Sequence, residues 1–77
     1  MNNFNLEFIE QRRNELDIPM QTMAIELGFK NASTYLKYER GDYSFKAKQL
    51  PLLARILNCK ITDFFSLIVA DLATEVS

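Results

Sequence analysis

A chain of 77 residues with 48% hydrophobic residues has room for one domain with one modest core, and it is too apolar to stay disordered. The sequence has one cysteine, no histidine and no apolar run of membrane-spanning length, which excludes an internal disulfide, a multi-cysteine zinc site and a membrane helix. Because a lone cysteine fits a reducing compartment and no signal peptide is visible, we expect a cytoplasmic protein. Histidine, the commonest metal ligand, is absent, and we expect no metal or cofactor.

The formal net charge is −1, but the charges are unevenly distributed along the chain. Residues 1–29 carry two basic and five acidic side chains, and residues 61–77 carry three acidic ones, so both ends have a net charge of −3. Residues 30–60 carry seven basic and two acidic side chains, a net charge of +5. A basic central segment between two acidic ends is the pattern expected of a protein that binds phosphates with one face. An ordinary surface of mixed charge explains the pattern equally well.

Apolar residues recur at helical spacing, and capping residues divide the chain into helices. The first helix is predicted over residues 5–16, with Asn5 as its N-cap. Pro19 opens a second helix of about two turns, and Gly28 follows it at the position of a left-handed C-cap. We therefore expect a sharp turn at the glycine.

Asn31 is predicted to cap a third helix that ends at Gly41, with Tyr35 and Tyr38 facing inward. A fourth helix is predicted to reach about residue 57. It should start irregularly, because Pro51 is tolerated only in a first turn. A fifth helix is predicted from residue 61 for about four turns, with one apolar stripe of Ile61, Phe64, Phe65, Ile68 and Leu72.

Between Ala24 and Gly41, a short helix, a glycine turn and a second short helix follow one another. This order is typical of a helix-turn-helix, in which a small residue allows the two helices to cross closely. The second helix can then enter a DNA major groove, which is wide enough for one helix.

Several joined features resemble the Xre/Cro-CI family of helix-turn-helix regulators, which includes phage repressors, over about residues 6–65. They are Arg13, the block 24–28, the triplet 39–41, the pair Leu50-Pro51, and the apolar positions Leu53, Ala54, Leu57 and Ile61. The resemblance implies an all-α, five-helix, lambda-repressor-like domain over residues 1–65, with the helix-turn-helix in helices 2 and 3. Residues 66–77 would extend helix 5, and a phage or other mobile element is the expected source.

Base-contacting side chains of that family lie on the exposed early part of the third helix, which here means Ala32, Ser33 and Lys37. Lys37 can donate to the acceptor edge of guanine, and Ser33 can donate or accept. The alternatives are a phosphate contact or a solvated lysine for Lys37, and an ordinary first-turn residue for Ser33.

Phosphate contacts are expected from side chains that flank the third helix, since such contacts supply affinity without specifying sequence. Each cation among them is equally well explained as a solubilising charge, and Asn31 fits a cap better than a contact. Pro19-Met20 replaces the family's usual Ser-Gln pair, and Asp42 stands where a basic residue is usual, which weakens binding there. The candidates are Gln21, Lys30, Asn31, Arg40, Tyr43, Ser44, Lys46 and Lys48.

The resemblance also implies a partly buried ion pair between Arg13 and Glu39, which would tie the first helix to the third. Two independent surface charges are the alternative. The surplus of apolar residues near the C-terminus predicts an interface between two copies, although helix 5 could instead fold back over its own domain. The expected interface residues are Phe64, Leu67, Ile68, Val69 and Leu72.

The leading functional hypothesis is a sequence-specific regulator of transcription, a repressor or Cro-like protein that binds two half-sites of double-stranded DNA as a homodimer. No membrane or small-molecule partner is expected. The alternative is a protein-interaction module on the same fold, such as an antirepressor, an antitoxin or an adaptor. We expect no enzyme, because the sequence holds no nucleophile–base pair and no phosphate-binding loop.

Overall fold

The computed structural model describes residues 4–65, and the elements in that range are all helical, as predicted. No helix within it is long and apolar enough to cross a membrane. Short 3-10 turns occur at Ala47–Gln49 and Ile61–Phe64. The α-helices are α1 (Leu6–Glu15), α2 (Met20–Leu27), α3 (Ala32–Arg40) and α4 (Leu50–Ile56).

The helix ends lie where the capping residues predict them. The side chains of Asn5 and Asn31 accept hydrogen bonds from amides three residues ahead, at 3.0 and 2.9 Å. Gly28 and Gly41 close α2 and α3 with φ angles of 81° and 93°, in the left-handed region that favours glycine. Both turns that flank α3 are therefore encoded locally.

Helix α4 has the irregular start that Pro51 predicts. A 3-10 turn at Ala47–Gln49 leads into the helix, and the proline lies in its first turn. A backbone N–H there has no partner within a helix, so its absence costs no hydrogen bond.

The predicted fifth helix is not formed in the described residues. Its first four residues form only the 3-10 turn Ile61–Phe64, and Phe65 leaves the helical region with φ −119° and ψ 56°. The Phe64 carbonyl accepts a hydrogen bond from the Asn5 amide at 2.6 Å, so it is bonded to the start of α1. The remainder of that prediction, residues 66–77, lies outside the described residues.

The domain core includes a residue that the sequence analysis assigned to a dimer interface. Phe64 is fully buried, with the rings of Phe4 and Phe8 at centroid distances of 5.8 and 6.1 Å. A side chain enclosed by its own domain has no surface to offer a partner, so the interface assignment of Phe64 is wrong. The other buried apolar residues are Ile9, Met23, Ala24, Leu27, Tyr35, Leu53, Ala54 and Leu57.

Candidate nucleic-acid interface

Helices α2 and α3 form the helix-turn-helix, and backbone hydrogen bonds determine how the chain passes between them. The Phe29 amide donates to the Ala24 carbonyl at 2.8 Å, across the left-handed Gly28. Ala24 itself is fully buried, so its small side chain lets α3 approach α2 closely. The direction in which α3 leaves the turn is therefore well defined.

Exposed polar side chains form one stripe along α3. Ser33, Lys37 and Arg40 follow one another at intervals of four and three residues, which places them on one face, and all three are exposed. Tyr35 and Glu39, on the same helix, are buried. The helix thus has one face packed on the domain and another that presents two cations and a hydroxyl to solvent.

The other candidates lie at the start of α2 and in the segments on either side of α3. Ala32 is half-buried at the first position of α3, and Gln21 is exposed in the first turn of α2. The Oδ1 atom of Asn31 caps α3 by accepting from the Thr34 amide at 2.9 Å and from its hydroxyl at 3.1 Å. Exposed phosphate candidates in the two flanking segments are Lys30, Asn31, Tyr43, Ser44, Lys46 and Lys48.

A buried network ties α3 to α1. Arg13 donates from Nε and Nη2 to the two carboxylate oxygens of Glu39, at 2.8 and 3.2 Å, and the two side chains are only 9% and 4% exposed. Arg13 also donates to the Ile18 carbonyl at 3.1 Å, and the Tyr35 hydroxyl donates to Glu39 at 2.7 Å. This network fixes the buried face of α3 against α1. It therefore determines the orientation of the exposed stripe on the opposite face of α3.

The network changes the proton affinity of two of its members. The hydrogen bond to Glu39 raises the pKa of Arg13, and burial, reinforced by the hydrogen bond to Glu39, raises the pKa of Tyr35. The arginine therefore stays charged and the tyrosine stays neutral in the folded domain.

Every fully buried side-chain nitrogen and oxygen in residues 4–65 has a hydrogen-bond partner.

The raised pKa of Tyr35 predicts a loss of stability in alkali. A tyrosine in the unfolded chain ionises near pH 10.0, whereas the Tyr35 hydroxyl of the folded domain resists ionisation. The contribution of Tyr35 to the free energy of unfolding is therefore fully present below pH 10 and is lost as the pH rises above it. We expect this group to lower the free energy of unfolding by up to about 1.4 kcal/mol for each pH unit above pH 10. Urea unfolding between about pH 8 and 11 measures the slope. The variant Tyr35→Phe should lack this contribution, and Tyr43→Phe, at an exposed tyrosine, should keep it. Equal slopes in all three proteins would contradict the assignment.

Arg12 is a structural residue that the sequence analysis missed. Its Nε and Nη2 atoms donate to the carbonyls of Leu57 and Asn58 at 2.9 and 3.1 Å, which joins α1 to the end of α4. A cation near carbonyls at a helix end is favourable. The partners lie 45 and 46 residues away along the chain, and no local signal pairs them.

A row of aromatic rings beside α3 was also missed. Phe29 and Tyr38 stack at 4.4 Å with an interplanar angle of 12°, and the Tyr43 ring meets Tyr38 edge-on at 5.4 Å. The row connects the turn before α3, α3 itself and the loop after it. Only the inward position of Tyr38 was predicted from the sequence, and the structure has this residue half-buried.

The described residues contain no group of three or more histidine, cysteine, aspartate or glutamate side chains arranged to hold a metal ion. A family model described as helix-turn-helix matches residues 9–64, most of the chain, including all of α2, α3 and α4. No curated protein and no solved structure matches the chain at a significant level.

Proposed function

Because this chain belongs to the Xre/Cro-CI type of the helix-turn-helix family, we propose that it is a sequence-specific DNA-binding regulator of transcription, a repressor or Cro-like protein. The observation that carries the proposal is the exposed stripe of Ser33, Lys37 and Arg40 on a helix whose other face is held by the Arg13–Glu39 pair. A rigidly mounted helix with outward cations and a hydroxyl suits a major groove.

In this proposal Ala32, Ser33 and Lys37 contact base edges, and the exposed groups around α3 contact phosphates. Selection from a pool of random-sequence duplexes tests it directly. A DNA-binding regulator should enrich one common sequence, which purified protein then binds more tightly than a scrambled duplex in fluorescence anisotropy. A chain that enriches no sequence would end the proposal.

Removing the Lys37 amine should relax sequence preference. A good base contact is worth about 1–3 kcal/mol of discrimination, and a lysine belongs at the lower end because it lacks the fork of an arginine. We expect Lys37→Ala to lose about tenfold in the ratio between the selected duplex and a single-base mismatch. The matched control is Lys46→Ala, at a proposed phosphate contact, which should weaken both duplexes alike. If Lys37→Ala also weakens both alike, Lys37 contacts a phosphate.

We further propose that the chain binds two half-sites as a homodimer, since one short helix covers only a few base pairs and half-sites lie about 34 Å apart. The proposed interface residues Leu67, Ile68, Val69 and Leu72 lie outside the described residues. Wild-type protein should sediment as a dimer, and a double variant, Ile68→Asp with Leu72→Asp, as a monomer with weaker DNA binding. A double variant that remains dimeric would place the interface elsewhere.

A protein-interaction role, as an antirepressor, antitoxin or adaptor, is the second candidate, and one observation favours it. Ile25 on α2 is 64% exposed, the highest value among the large hydrophobic side chains of residues 4–65, so it is the apolar side chain most available to a protein partner. In that case Ile25→Ser would abolish partner capture from host extract, whereas Lys37→Ala would not. Selective binding to one duplex sequence, unaffected by Ile25→Ser, would favour the DNA-binding role.

A further inference from the structure

We propose that the Tyr43 ring positions Lys37 for its base contact, which makes Tyr43 a determinant of sequence specificity as well as a phosphate contact. This inference rests on the proposed function. The two side chains lie on different elements, Lys37 on α3 and Tyr43 in the loop after it.

Backbone hydrogen bonds fold that loop back onto α3. The Lys37 carbonyl accepts from the amides of Asp42 and Tyr43, at 2.8 and 3.3 Å. The reversal requires the left-handed Gly41, where a Cβ atom would also stand only 3.1 Å from the Leu6 side chain. Tyr43 is consequently held beside Lys37 by bonds to that residue's own backbone.

The Tyr43 ring also contacts the other rings of the aromatic row, through Tyr38. Its partner Tyr38 meets it edge-on at 5.4 Å and is itself stacked on Phe29. Edge-on and offset-stacked rings are favourable arrangements, so the row restricts the orientation of the Tyr43 ring. Tyr43 is nevertheless 47% exposed, which leaves it accessible to the lysine amine and to a ligand.

The Lys37 amine lies 5.7 Å from the centre of the Tyr43 ring, within the range of a cation–π interaction. Within residues 4–65, no carboxylate forms an ion pair with this lysine. A lysine side chain loses much rotational freedom when it binds, and a contact that restricts it beforehand reduces that loss. A cation–π contact at an exposed site is equivalent to about 2- to 5-fold in an equilibrium constant.

Two substitutions at the same position separate the ring from the hydroxyl. Tyr43→Phe keeps the ring and removes the phosphate-contacting group, so it should weaken all duplexes alike and keep the ratio between selected and mismatched duplex. Tyr43→Leu removes the ring as well and should lower that ratio by about 2- to 5-fold. Combined with Lys37→Ala, it should lower the ratio no further. An unchanged ratio in Tyr43→Leu, or an equal loss with and without Lys37, would overturn the inference.

The ring contact is also measurable without DNA. The protons beside the Lys37 amine should be shifted upfield in the NMR spectrum of the wild type and of Tyr43→Phe, and this shift should vanish in Tyr43→Leu while the thermal unfolding transition remains cooperative. Absence of the shift in the wild type overturns the positioning role whatever the DNA result. A wild type that shows the shift but enriches no duplex overturns the proposed function, and the specificity role with it.

Discussion

Replacing Glu39 with alanine should lower the free energy of unfolding by about 3–5 kcal/mol, the usual cost of leaving one member of a buried ion pair without its partner. The substitution strands the Arg13 guanidinium, which keeps only its bond to the Ile18 carbonyl, and removes the acceptor of the Tyr35 hydroxyl. Small domains are stable by about 5–15 kcal/mol, so the loss is a large fraction of the total. Thermal and urea unfolding, followed by circular dichroism, measure it.

A double-mutant cycle tests whether the pair itself is responsible. Arg13→Ala should cost a similar amount, and the double variant much less than the sum of the two, because neither charge is then stranded. The matched control is Glu26→Ala, at an exposed glutamate of α2 that does not contact the pair, which should change stability by no more than about 0.5 kcal/mol. Additive losses in the cycle would show that the two residues act independently.

DNA binding should weaken steeply as salt is added. If Lys30, Arg40, Lys46 and Lys48 each neutralise one phosphate, the logarithm of affinity should fall with the logarithm of salt at a slope of about −3.6 per domain. Between about 50 and 200 mM salt, that slope is a loss on the order of a hundredfold. The net charge of −1 does not oppose this, because the cations near α3 act locally.

Single lysine substitutions test which side chains are responsible for the salt dependence. Each of Lys46→Ala and Lys48→Ala should reduce the slope by about one, since each removes one phosphate contact. Lys60→Ala removes an exposed lysine that is assigned no contact, and it should leave the slope unchanged. An affinity that stays flat over the same range of salt would rule out the proposed phosphate contacts.

The features that could be predicted from the sequence depend on a few neighbouring residues. Asn31 caps α3 through an amide three residues away, the glycines at 28 and 41 adopt left-handed φ angles, and Pro51 restricts the start of α4. The Arg13–Glu39 pair spans 26 residues, and it was anticipated only through the resemblance to a family.

Other features depended on which distant segments pack together. The fifth helix was predicted from an apolar period, but the Phe64 carbonyl bonds to the Asn5 amide, and Phe64 fills the core rather than a dimer interface. Arg12 reaches the end of α4 through carbonyls 45 and 46 residues away. The sequence by itself therefore determined the helices α1 to α4, their caps and the helix-turn-helix. Only the tertiary structure decided that residues 61–64 form a 3-10 turn and which side chains surround α3. Capping and periodicity are local, whereas these contacts exist only once distant segments meet.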